Sequence, residues 1–202
     1  MKNWKYILLS VILFPLVGMV SSCSEESAKT GEFDNWQQRN DEAVNQWAAN
    51  TSLRKIKTYS KDPSSTGTNA DYIYVQVLET GNGADSPLFN DTARVAYRGY
   101  LIPTASYSDG YVFDQNYIGD FSWSTAGMTD FAITSNLCDG FSTALMNMHK
   151  GDRWRVYMPY QLGYGTTVSG SIPAYSNLIF DIALQDFWHP GDVHPSFKAR
   201  KK

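Results

Sequence analysis

Apolar positions along this chain follow three rhythms. Tyr6 to Val20 is a nearly unbroken apolar run, interrupted by Ser10, Pro15 and Gly18. From Asn35 to Ala49 the spacing becomes helical: Trp36, Ala43, Val44, Trp47 and Ala48 recur among Gln, Arg, Asn and Asp. This predicts an amphipathic helix that lays its two tryptophans on a larger body, with Asp34 placed to cap its start. Beyond Asp71 the period falls to two. Tyr72 to Leu78, Ala93 to Leu101, Tyr111 to Phe113, Trp154 to Met158 and Leu178 to Phe187 are rich in β-branched and aromatic residues and predict strands. Gly81-Asn82-Gly83, Asp109-Gly110 and Pro159 punctuate them. Phe141, Leu145 and Met148 stand at i, i+4 and i+7, the spacing of one short helix that faces a core. Strands with a single helix between them predict an antiparallel sheet wrapped over a helix, an α+β architecture.

The two ends read differently from this body. The apolar run of 15 residues is short of the roughly 20 needed to cross a bilayer core. With Lys2 and Lys5 before it and Val20-Ser21-Ser22-Cys23 after it, it reads as a secretory leader. The last four residues resemble the bacterial lipobox, in which signal peptidase cuts before a cysteine that carries diacylglycerol. Several acyl chains on Cys23 would anchor the chain to a membrane, since each buried methylene contributes about 0.8 kcal/mol. The expected layout is a leader over residues 1–22 and a tether over 23–33. A helical extension and basic connector follow over 34–65, then the main domain over 66–188 and a basic tail over 189–202. Once Cys23 is lipidated, Cys138 is the only free thiol, so no internal disulfide can form.

Composition narrows the function. In 202 residues the hydrophobic fraction is 43%, which excludes wholesale disorder. A net charge of -3 argues against a nucleic-acid binder built on a basic face. His149, His189 and His194 are too scattered for metal-ligand spacing, so no metal is assigned. Phe141-Ser142-Thr143 lacks the glycine framing of a nucleophile elbow.

From Tyr72 to Trp188 a series of short motifs begins with Val95-Ala96-Tyr97-Arg98-Gly99-Tyr100-Leu101, Asp109-Gly110 leading to Val112-Phe113-Asp114, and Phe131-Ala132-Ile133. Leu137-Cys138-Asp139-Gly140-Phe141, Gly151-Asp152, Leu162-Gly163-Tyr164-Gly165, Ile172-Pro173 and Leu178-Ile179-Phe180-Asp181 complete the series. In this order the motifs resemble an FKBP-type peptidyl-prolyl cis-trans isomerase, and with the lipobox-like Val20 to Cys23 a bacterial lipoprotein form of it. The resemblance implies a half-barrel of antiparallel strands curled around one short helix, with the N-terminal helix as an addition. It implies catalytic roles for Tyr97, Phe113, Asp114 and Tyr164. It implies substrate contacts at Phe131, Leu137, Cys138, Phe141, Ile172 and Phe180, with the backbone of Leu137 and Cys138 bonding a bound peptide. The chain departs from the pattern in two long connections, 102–109 and 116–129, and in Phe141 and Cys138, where the family commonly has Trp and a branched apolar residue.

Those residue types suit the implied reaction. Rotation about an X-Pro amide crosses a barrier of about 18–20 kcal/mol and breaks no covalent bond, so it needs no nucleophile, metal or cofactor. Twisting removes amide resonance and lowers polarity, so a ring-lined pocket stabilises the twisted form relative to water. Tyr164 would hold a substrate carbonyl, and Asp114 would either orient Tyr97 or meet the strained amide. The expected partners are proline-containing polypeptides, no nucleic acid, and a membrane reached through the lipid on Cys23. The expected location is the bacterial envelope, lipid-anchored to the outer membrane on its periplasmic or surface side. The alternative is a non-catalytic FKBP-like chaperone or surface module for peptide or glycan. Its rings would be those of the enlarged aromatic loops, Tyr100 to Tyr111 and Tyr117 to Trp123, and it gains if Trp123 or these loops plug the pocket.

Overall fold

Alternation along each strand decides which side chains turn inward, and one helix receives them. The computed structural model describes residues 31–193, so the leader, the lipidation site at Cys23, most of the tether and the end of the basic tail lie outside the described residues. In chain order the elements are α1 (Trp36–Ala49), β1 (Arg54–Lys57), β2 (Tyr72–Glu79), β3 (Thr92–Tyr100), β4 (Val112–Gln115), β5 (Thr129–Ala132), α2 (Asp139–Leu145), β6 (Arg153–Met158) and β7 (Leu178–Trp188). The strands form one antiparallel sheet in the order β1-β2-β6-β7-β3-β4, and β5 pairs with β3 beside β4. The half-barrel around one short helix, with an extra N-terminal helix, is therefore observed.

β6 shows the logic most plainly. Trp154, Val156 and Met158 are buried, and the residues between them are only partly covered. Val95, Tyr97, Phe180, Ile182 and Leu184 turn to the same inner face and pack against Phe141, Ala144 and Leu145 of α2. The helix lies so close to the sheet that a Cβ on Gly140 would stand 2.8 Å from Met158 Sδ, which only glycine avoids. α2 ends at Leu145, so the expected helical span to Met148 is too long. Met148 is nonetheless fully buried, in the turn that follows.

Three local features differ from the sequence reading. The basic connector contains a strand, β1, whose Lys-rich sequence carries only Ile56 as an apolar residue. It forms because β2 offers a free edge, and lysines are tolerated there. Asn35, not Asp34, takes the cap position of α1, in the left-handed region at φ 52° and with no side-chain cap. The 116–128 segment packs on the outer face of the sheet, which is why β3 and β7 are buried on both sides. Among the described residues no helix is long and apolar enough to cross a membrane.

Candidate active site

The aromatic residues read from the sequence converge. On β3, Tyr97 points inward, and its ring centroid lies 5.5 Å from Phe131 of β5, 6.3 Å from Phe141 of α2 and 6.4 Å from Phe180 of β7. Phe180 in turn stands 5.1 Å from Phe141 and 5.4 Å from Phe113 of β4, and Phe131 is 5.8 Å from Phe141. Most of these pairs are edge-to-face, the arrangement the ring quadrupole favours. Ile172 is buried in the same cluster, with Leu137 and Cys138 packed against it. Phe113, Phe131, Leu137 and Cys138 are only half-buried, so they form the side of the cluster that faces solvent.

Two polar groups border this apolar floor. The Tyr97 hydroxyl donates to Asp114 Oδ2 at 2.8 Å, so Tyr97 is the partner that Asp114 meets within the fold. Burial, then the bond to Asp114 and its charge, raise the Tyr97 phenol well above the ordinary tyrosine value. Tyr164 stands in the loop between β6 and β7 and is 46% exposed. Burial of part of the ring raises its pKa, with smaller contributions in the same direction from Cys138 and Asp114. Burial also pushes the Cys138 thiol up to about 11. Phenols and thiol are thus all held protonated at neutral pH, as donors rather than nucleophiles.

The backbone of the expected peptide-binding pair is partly engaged already. Leu137 N–H donates to Thr134 C=O, and Cys138 C=O accepts from Phe141 and Ser142 at the start of α2. A bound peptide would have to use Leu137 C=O or Cys138 N–H.

Two residues that shape the site were not singled out as such. Gly99 pairs with Asp114 on one side and Phe180 on the other. A Cβ there would lie 2.6 Å from the rings of both Phe113 and Phe180, so the missing side chain is what lets these rings meet over the strand. A glycine inside a strand is the signal that could have marked it. Asn116 fills the gap where β4 and β5 part along the edge of β3. Its Oδ1 accepts from Tyr97 N–H at 2.8 Å, and its Nδ2 donates to Val95 C=O and Thr129 Oγ1. Its own N–H donates to Tyr97 C=O, so both backbone groups of Tyr97 are bound by one residue.

The two enlarged loops go to different places: Tyr111, at the end of the first, packs against the inner cluster, and the second packs on the outer face. Tyr117, Ala126, Ala96 and Ala183 form a separate outer cluster with Phe121 and Trp123. The Trp123 indole donates to Glu79 Oε2 at 2.8 Å. Tyr107 stacks edge-on with Tyr111 at 5.1 Å. Trp123 therefore does not plug the inner cluster.

This fold and ring cluster define the FKBP class, and comparison with known proteins agrees. Residues 83–185 match the FKBP-type peptidyl-prolyl cis-trans isomerase family, and the chain belongs to it. It is 28% identical over 180 residues to the macrophage infectivity potentiator of Trypanosoma cruzi, covering 89% of this chain and 80% of that protein. It is 33% identical over 139 residues to the FKBP-type peptidyl-prolyl cis-trans isomerase FkpA of Escherichia coli K12, covering 69% of this chain and 42% of that one. The crystal structure of Escherichia coli FkpA superposes with a TM-score of 0.56 at 26% identity, over 77% of this chain and 60% of that chain.

Proposed function

We propose that this chain is an active peptidyl-prolyl isomerase, tethered through lipid on Cys23 in a bacterial envelope, where it speeds the folding of exported proteins. The observation that carries the reading is the single cluster of Tyr97, Phe113, Phe131, Phe141 and Phe180, with a half-exposed phenol beside it. A proline ring would seat among these residues and Ile172, and the neighbouring amide would leave water. The planar amide owes much of its stability to charge separation that water solvates, so removing water raises the planar form relative to the twisted one. Each 1.36 kcal/mol of this difference is worth about tenfold in rate. Tyr164 O–H would donate to a substrate carbonyl, fixing the peptide while the imide rotates. Asp114 would act through Tyr97, holding the ring at the angle that closes the floor.

Unaided isomerisation takes tens of seconds or longer, which makes it a slow step for any exported chain that contains prolines. The reading is tested by following cis-to-trans conversion of a proline-containing peptide with the chain lacking residues 1–22. The expected result is a rate above background that a macrolide FKBP ligand suppresses. A folded chain with no rate above background refutes it and leaves the non-catalytic binding module.

A further inference from the structure

We propose that α1 is a positioning element of the active site, acting through Asn40 on the loop that carries Tyr164 and Ile172. The proposal rests on the isomerase reading for its catalytic part and on hydrogen bonds for its structural part. α1 has 14 residues, about the length at which an isolated helix is marginal in water, so its place is set by what it packs against. It buries only Trp36, Asn40 and Val44. An asparagine with no exposed surface is a costly choice for a helix-docking position unless all its polar groups are matched.

They are matched, and those that reach beyond the helix go to a single residue, Asn177. Asn40 Oδ1 accepts from Asn177 N–H at 2.8 Å, and Asn40 C=O accepts from Asn177 Nδ2 at 2.7 Å. Asn40 Nδ2 donates back to Trp36 C=O at 2.7 Å, which locks the amide's orientation. Asn177, itself fully buried, then accepts from Tyr160 N–H through Oδ1 at 2.9 Å. Tyr160 C=O receives the N–H groups of Gly163 and Gly165, the two residues that flank Tyr164. A second path runs parallel: Trp36 Nε1 donates to Ser176 Oγ at 2.8 Å, and Ser176 Oγ donates to Pro173 C=O at 2.7 Å, next to Ile172. Tyr175 N–H to Gly165 C=O closes the loop between the two paths.

Both relays therefore end on residues adjacent to a group that the isomerase reading places against substrate. A helix that merely covered apolar surface would not need them. Toward the other end of α1, Trp47 does only that: it packs on Tyr74 and Tyr157, 6.3 and 5.2 Å between ring centroids, while Asn45 accepts from Asn69 Nδ2, a residue of neither relay.

That division supplies the control. In the full chain, Asn40→Ala is expected to lower kcat/KM by about tenfold, most of it in kcat, at a temperature where circular dichroism shows the variant folded. Amide exchange at Tyr160, Gly165 and Tyr175 should quicken with it. Trp47→Ala should lower the urea midpoint but leave kcat/KM within about twofold and loop exchange unchanged. If Asn40→Ala does not fold, Trp36→Phe removes the indole donor while keeping an aromatic ring beside Phe33 and Arg39, and should give the same pattern at about threefold. Equal losses of kcat/KM in the Asn40 and Trp47 variants, or unchanged loop exchange in Asn40→Ala, would overturn the proposal. A wild-type chain with no rate would instead refute the isomerase reading, and the exchange contrast would then decide the structural brace on its own.

Discussion

The two faces of this sheet carry comparable sets of rings and use them in opposite ways. On the inner face Tyr97, Phe113, Phe131, Phe141 and Phe180 touch mainly one another, and the one carboxylate in direct contact, Asp114, is bonded at the rim. On the outer face each ring has a charged neighbour. Arg98 lies 4.5 Å over Tyr117 and Arg153 4.6 Å over Phe121, while Trp123 donates to Glu79. Between them Arg155 makes a two-bond pair with Asp181 at 2.7 and 2.9 Å, and Asp181 also accepts from Tyr100. Rings bound by cations and carboxylates have spent their polar and quadrupolar capacity on the fold. Rings that meet only other rings keep an apolar surface for a guest. Aromatic content alone does not distinguish a binding site; what the rings are bonded to does.

If that contrast is right, damage to the two faces should separate into activity and stability. Phe113→Ala is expected to have the largest effect, a loss of about 100-fold in kcat/KM with a nearly unchanged urea midpoint, because the ring is half-buried and lines the open side. Arg155→Met should do the reverse. It leaves the buried Asp181 carboxylate without its cation and should cost about 2 kcal/mol in urea unfolding, with kcat/KM per folded molecule preserved. This value is below that of a fully buried pair because Arg155 is 37% exposed. Tyr164→Phe comes next, a loss of about three- to tenfold in kcat/KM from one hydrogen bond, with stability unchanged.

The smallest effect concerns a pair remote from the rings. His189 Nδ1 lies 2.8 Å from the buried Asp91, and that bond raises the His189 pKa. A raised folded-state value means that the contribution is fully present below the unfolded value of about 6.5 and fades as pH rises through the folded value. The urea midpoint should therefore decline slightly on that upward path, and His189→Gln should remove the decline.

The inner face was legible in the sequence and the outer face largely was not. Alternation marks Val95, Tyr97, Phe180 and Ile182 as one side of two strands, and motif order then groups them with Phe113, Phe131 and Phe141. The short strand β1 was invisible because pairing with β2, not hydrophobic pattern, creates it. β5 showed only as a fragment around Phe131, since its four residues owe their place to β3. The 116–128 segment gave its aromatic content but not its destination, which depends on where Arg98, Arg153 and Glu79 stand in the folded sheet. Asn40 and Asn177 are 137 positions apart, and a hydrogen bond at that separation leaves no local trace. Asn116 is similar: its value lies in the gap between two strands that the sequence does not reveal.

The central claim is that a water-poor cage of rings, with one phenol as donor and no proton transfer, lets the amide rotate. The direct test is the catalysed cis-to-trans rate of a proline peptide as a function of pH. Tyr97 and Tyr164 are raised and the Cys138 thiol stands at about 11, so the account predicts a rate above background that is flat from about pH 6 to about pH 9. A rate that titrates within that window, or no catalysed rate at all, contradicts it.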